Sequence, residues 1–269
     1  MKTSSLLLAV LTFGAATVGA QTPTPSPQPA PTAAPSAPST TWTLTPFFAS
    51  QYMFRGARLG GPSFQPAIEY GANNIVLGVW SNFPIAKKVV GQSDPEIDPY
   101  GSYKIVVNDS FSVQPGFTLY TYPNAKKGNG YYKSTFEPNI AFNLSASGVT
   151  ITPKLYYDTV LKGATAELNL GYSIPLKDVG TSLDLAGTYG TFKWKAFAEN
   201  TSPDIKNWGD YYLVGASMPF QINATNKLTV GLAYTKGSNN FLKQGSAPRS
   251  ENSAAVGRGV ATVAWAISF

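Results

Sequence analysis

From Thr41 to Phe269 the chain reads as twelve segments of about ten residues in which apolar and polar side chains alternate, the period of a strand with two unlike faces. In Phe111–Leu119, Phe111, Val113, Phe117 and Leu119 share one face, and Ser112, Gln114, Gly116 and Thr118 the other. In Ala164–Ile174, Leu168, Leu170, Tyr172 and Ile174 oppose Thr165, Glu167, Asn169 and Ser173. The segments run 42–55, 64–72, 74–82, 96–106, 110–122, 132–144, 148–159, 164–175, 181–193, 210–221, 227–236 and 256–269. Their connections alternate between long and short. Ala57–Ser63 is followed by Asn73 alone, Phe83–Pro95 by Val107–Asp109, and later Trp194–Gly209 by Ile222–Asn226, then Gly237–Ala255. The short link Val160–Gly163, in a place where the alternation calls for a long one, is the exception. An even number of two-faced strands joined in this way predicts an all-β fold: a single closed antiparallel transmembrane β-barrel, with short turns at one end and longer loops at the other.

The rest of the sequence agrees with that expectation. Met1 and Lys2 are followed by an apolar run, Leu6–Phe13, and by Val18-Gly19-Ala20, where small residues suit a signal peptidase. Residues 1–20 are thus expected to be a signal peptide, with Gln21 as the first mature residue. The apolar run is too short to cross about 30 Å of hydrocarbon as a helix. No Cys follows to accept a lipid anchor. Residues 21–40 are Pro, Thr, Ser and Ala almost throughout, with no charge and no large apolar side chain, and read as a disordered or polyproline tether. Residues 41–269 form the barrel. Charged residues make up 13% of the chain, about half the share usual in a soluble domain. A soluble β-sandwich would need charge on its solvent faces and has no reason to alternate long and short loops. The last strand separates the two folds further. Val263, Trp265, Ile267 and the terminal Phe269 lie on one face, an ending that resembles the signal by which outer-membrane barrels are recognised by the barrel-assembly machinery. Pro46, Pro66, Pro115, Pro138 and Pro153 fall inside the segments. Proline removes a ladder donor, so bulges or strand ends are expected near some of them.

Three motifs carry a family resemblance. Tyr52-Met-Phe-Arg-Gly56, Gly78-Val-Trp-Ser-Asn82 and Glu96-Ile-Asp-Pro-Tyr-Gly-Ser-Tyr103 resemble the TorF-like porins of the bacterial outer membrane. The match covers mainly the first third of the barrel; Pro99 and the Pro-rich segment depart from the pattern. The resemblance implies a barrel and a pore, and brings no substrate or catalytic residue with it.

Parity along the strands gives the interior. Arg55, Glu69, Asp98, Lys104, Glu137, Lys154, Asp158, Glu167, Asp184 and Arg258 are expected to face inward and line the pore, because a charge facing lipid near the midplane costs about 2 to 4 kcal/mol for Arg or Lys. Arg55 ends the first predicted strand, Trp80 nearly ends the third and Asp98 nearly begins the fourth, placing all three near the outer mouth. Across three strand spacings of about 4.8 Å, Arg55 and Asp98 are too far apart to touch, which leaves room for water or a solute. Twelve strands lie between the filled interior of eight and the open channel of sixteen, so a narrow or partly closed lumen is expected.

Removing Lys2 with the signal leaves 19 of 20 basic residues against 14 acidic ones. The predicted outer loops hold Lys87, Lys88, Lys126, Lys127, Lys195, Lys206, Lys243 and Arg249. Attraction to phosphorylated lipopolysaccharide accounts for this better than capture of an anionic solute, and no basic helix accompanies the charge to suggest nucleic-acid binding. With neither His nor Cys in the chain, Ser-His-Asp triads and the common zinc and copper sites are excluded, and no cofactor is implied. The sequence therefore points to a porin-like channel for small polar or charged solutes, in contact with outer-membrane lipid and reaching the periplasm with its N-terminal tether. A plugged structural or adhesive barrel is the alternative. The solute and the oligomeric state are left open.

Overall fold

A computed structural model describes residues 40–87, 94–125, 133–160, 162–193, 209–237 and 257–269. The expected signal peptide, nearly all of the tether, and Lys88, Lys126, Lys127, Lys195, Lys206, Lys243 and Arg249 lie outside these residues.

In chain order, β1 (Thr40–Thr45) and β2 (Phe47–Ala49) make one stave, broken at Pro46. A small hairpin follows, β3 (Tyr52–Phe54) and β4 (Ala57–Gly60), which pair only with each other. The second stave is β5 (Ser63–Phe64) with β6 (Ala67–Ala72), broken at Gln65-Pro66, and the third is β7 (Ile75–Pro84). The fourth is β8 (Glu96–Tyr103) with β9 (Ile105–Asn108). Eight unbroken staves complete the sheet: β10 (Phe111–Thr121), β11 (Ser134–Ala146), β12 (Val149–Asp158), β13 (Gly163–Leu176), β14 (Thr181–Lys193), β15 (Gly209–Gln221), β16 (Asn226–Gly237) and β17 (Arg258–Ser268). Each stave pairs antiparallel with the next. The last closes on the first through Thr43↔Ser268 and Thr262↔Ala49, and Trp42 and Phe269 exchange both backbone bonds at 2.9 and 3.0 Å. The result is a closed barrel of twelve staves, as the alternation predicts. Closure removes the sheet edge, and so satisfies in lipid the backbone groups that an open sheet would leave bare.

The prolines sit where the ladder has gaps. Two of them, Pro46 and Pro66, separate the halves of their staves. Beside Pro115, the register of β10 with β8 stops at Gly116↔Ser102 and resumes with β9 at Val113↔Ile105. Pairing of β11 with β12 ends at Asn139↔Tyr156, next to Pro138, and skips between Ala141↔Lys154 and Leu144↔Ile151, beside Pro153. At one end the connections are tight. Ala146↔Val149 is closed by Ser147 and Gly148, both at positive φ (51° and 80°), the two-residue turn whose twist matches that of the strands. The opposite end carries the longer connections, apart from residues 159–162, which are short as the sequence indicates.

The two faces differ as the alternation requires. Leu77, Ile151, Leu155, Leu170, Val214, Leu232 and Val263 are exposed on the outside. Aromatic residues gather toward the turn end, where the tilted rings of Trp42 and Tyr70 meet at 5.1 Å and the Trp265 indole donates to Asn226 at 3.0 Å, and again toward the loop end, where Tyr212 meets Tyr234 at 6.1 Å. Such girdles mark the two interfaces of a bilayer. The inward face is polar and, toward the loop end, deeply buried.

Candidate functional site: a hairpin docked across the lumen

The first stave ends at Ala49, six residues earlier than the alternation suggests, because the sequence there stops pairing with the wall. Residues 51–61 turn inward instead. Tyr52↔Gly60 and Phe54↔Ala57 form the hairpin, with Arg55 and Gly56 as a two-residue turn at φ 45° and 76°. This corrects two expectations. Arg55 is not on the wall of the first strand, and 57–63 is not an outer loop but largely the returning limb of a hairpin inside the barrel.

Each part of the hairpin meets inward-facing residues of a different stave. On one side Tyr52 packs with Ala67, Trp80, Tyr100 and Tyr120, and its ring lies 5.9 Å from that of Trp80. Its hydroxyl donates to the Glu96 carboxylate, which also accepts from Tyr122 at 2.6 Å. On the other side Met53 packs with Ala49 and Val260. The root is fixed by the Arg58 guanidinium, which donates to Gln51 at 2.7 Å and to the Lys87 carbonyl at 3.3 Å.

The tip reaches the far wall. Arg55 donates from Nη1 and Nη2 to the two oxygens of Glu137, both at 2.8 Å, a buried ion pair. Such a fork is the strongest form of charged hydrogen bond. The Arg55 guanidinium also lies 4.7 Å from the centres of the Phe54 and Tyr156 rings, within range of a cation–π attraction. Tyr120 adds a third bond to Glu137 at 3.0 Å. Gly56 rests on the wall so closely that a Cβ there would lie 2.5 Å from Gly237 Cα and 2.6 Å from Tyr211 Cβ. Beside it, Glu167 accepts from Tyr156 at 2.5 Å and from Tyr211. The ring of Tyr211 lies flat on Gly190, where a Cβ would come within 2.2 Å of it.

The remaining charges distribute as follows. Asp98 is buried and accepts the Thr121 amide at 3.0 Å. It pairs in register with Trp80, at the same height, as the sequence indicates. The expected open gap between Asp98 and Arg55 is not there, because Arg55 belongs to the hairpin and is bound to Glu137. Asp158 accepts from Thr135 at 2.7 Å and Asp184 from Ser173 at 2.6 Å. Lys154 is half-buried, in register with Glu167 from the neighbouring β13, with its ammonium 4.7 Å from the Tyr156 ring centre. Glu69 is half-buried in register with Gly78. Arg258 is half-buried at the loop end of β17. Lys104 is exposed at the break between β8 and β9, away from the buried group. The structure thus brings Arg55, Asp98, Glu137, Lys154, Asp158 and Glu167 into one belt, and leaves Glu69, Lys104, Asp184 and Arg258 apart from it.

Arg58, Tyr120, Tyr156 and Tyr211 were not singled out by sequence reasoning, and Tyr52 and Glu96 entered it only as members of the family motifs. A signal was present: Tyr52-Met-Phe-Arg-Gly-Ala-Arg-Leu59 is too apolar for an exposed loop and carries Arg-Gly where a hairpin turns.

Toward the turn end the interior changes character. Gln114 donates to Ser102 at 2.9 Å, Asn143 to Gln114 at 3.3 Å, Thr152 bonds Asn143 at 3.3 Å, and Thr188 bonds Asn169 at 2.8 Å. These amides and hydroxyls are mostly half-buried, and turnward of them the buried Asp184 is held by Ser173.

A closed barrel with an apolar outside, two aromatic girdles and a polar interior is a transmembrane β-barrel, and its fold is that of the outer-membrane porins. It is similar to the KdgM porin at a TM-score of 0.52 with 14% identity, covering 84% of this chain and 99% of that one. Against the NanC porin the TM-score is 0.51 with 9% identity, over 84% and 98% of the two chains. An outer membrane channel from Pseudomonas putida aligns at 0.47 with 10% identity, over 88% and 97%. At these identities the likeness is one of fold. No known family model matches the chain, and no curated protein matches it in sequence.

Proposed function

We propose that the protein is an outer-membrane porin-like channel that passes small polar or charged solutes through a narrow, charge-lined lumen. The observation that carries this reading is the inward face of the closed twelve-stave barrel, which carries the buried charged and polar side chains while the outward face is apolar. The ten charged residues named from parity are its proposed lining, with Glu96 and Arg58 added. The reading includes an N-terminal signal and a periplasmic tether. It also includes lipopolysaccharide at the basic loops and recognition of Val263, Trp265, Ile267 and Phe269 by the barrel-assembly machinery. Kinship with the TorF-like porins is part of it, supported by the meeting of their three motifs in one place: Tyr52 on Trp80 and Glu96.

The test is conductance of the refolded barrel in a planar bilayer. Discrete steps are expected, and a salt gradient then reads ion preference from the sign of the reversal potential. Silence from protein shown to be folded favours the second reading, a non-conducting structural or adhesive barrel. The observation on that side is the hairpin itself, because Tyr52, Met53 and Glu137 have no exposed surface and the loop end of the lumen is packed.

A further inference from the structure

The hairpin is held differently along its length. Its root is fixed on both sides by apolar packing, with Tyr52 among aromatic rings toward β7, β8 and β10 and Met53 against Ala49 and Val260 toward β2 and β17, and by the Arg58 and Tyr52 hydrogen bonds described above. The apolar contacts have no replacement in water. The tip is held by a buried ion pair, a glycine touches the wall beside it, and the ring of Phe54 meets that of Tyr120 at 5.8 Å. An ion pair taken out of water contributes little net stability over the hydrated pair, because the desolvation cost offsets much of the attraction. Of the tip contacts, the ion pair is therefore the one that entering water can replace.

Three further observations single out Arg55. It occupies the left-handed region at φ 45°, which costs a non-glycine residue energy that the surroundings must offset. Its Nε is buried without a hydrogen-bond partner, a further cost that hydration would relieve. Its receptor is organised without it, because Tyr120 continues to hold Glu137. Strain and an unmet donor are concentrated at one end of the hairpin, against a catch that survives its departure.

We propose that the hairpin is a gate: its root is fixed, its tip is latched to the far wall by Arg55 and Glu137, and release of that latch opens the loop end of the lumen. The gate rests on the channel reading. The experiment is single-channel recording of the full mature chain as wild type, Arg55→Gln, Glu137→Gln and the exchange R55E/E137R. The single variants are expected to raise the ratio of open to closed time by about tenfold or more, since breaking a buried pair by removing one partner is strongly unfavourable to the closed arrangement. The exchange restores the pair and is expected to return the ratio toward wild type, which a merely structural contribution of either residue would not do. Where a single variant fails to fold, the exchange carries the test together with a thiol readout. A cysteine replacing Asn139, two residues turnward of Glu137 on the same face, should react faster with a reagent supplied from the loop side when the latch is open. Wild-type steps with an unchanged open fraction in both single variants would overturn the latch and leave the channel standing. Silence from all four folded proteins would overturn the channel reading, and the gate with it.

Discussion

The two halves of the lumen are built from the same alternation of side chains and end in opposite states. Toward the loop end the inward residues are long and charged or aromatic, a hairpin fills the space between them, and carboxylates are buried under tyrosine hydroxyls. Toward the turn end the inward residues are mostly amides and hydroxyls, with Asp184 among them, that bond to neighbours along the wall. What differs is reach. A side chain of Asn or Thr spans to its neighbour on the next stave, whereas Arg55 and the rings of Tyr52, Tyr120 and Tyr211 extend far enough to meet something inserted from above. Twelve staves alone would leave an intermediate bore; the hairpin closes one half of it.

The sharpest way to break this comparison is to remove the hairpin. Replacing residues 51–61 with a short Gly-Ser link is expected to give a permanently open barrel with larger conductance steps; unchanged steps would mean that the wall and not the hairpin sets the bore. Gly56→Val comes next. A side chain at a position where even a Cβ meets Gly237 at 2.5 Å should unseat the tip and lower stability to urea by about 1 to 3 kcal/mol, as overpacking does. Gly190→Ala should cost a similar or smaller amount, at the low end of that range, by lifting the Tyr211 ring away from Glu167; equilibrium unfolding in detergent micelles measures it. At the turn end, Thr152→Val is expected to change stability by no more than about 0.5 kcal/mol and to leave the open fraction untouched. A large effect there would erase the distinction between the halves.

The sequence made the wall legible because a strand's period of two leaves a direct trace in hydropathy, and turn and loop lengths leave another. Pro46 and Pro66 were readable as breaks for a simple reason: proline lacks the donor that a ladder needs. Glu137, Asp158 and Glu167, which parity turns inward, are buried. What parity does not contain is distance across the lumen. Nothing in the spacing of Arg55 and Glu137, 82 residues apart, marks them as partners. The hairpin was read as a continuation of the first strand because Tyr52, Phe54 and the residues before them keep the same alternation. Only burial on both faces, which a wall strand facing lipid cannot have, separates an inserted hairpin from a stave.

The stave that gives rise to the hairpin is also the stave at which the cylinder is sewn shut. It is the one interrupted at Pro46, and its upper half, Phe47–Ala49, is only three residues long, tied to β17 on one side and to the two-residue β5 on the other. A pull on the hairpin is therefore delivered to the thinnest part of the seam, where few backbone bonds resist it. Amide protons of residues 47–49 should be the first in the wall to exchange with solvent, and lipid thickness or lateral pressure acting on that seam would be felt by the hairpin above it without any solute entering the barrel.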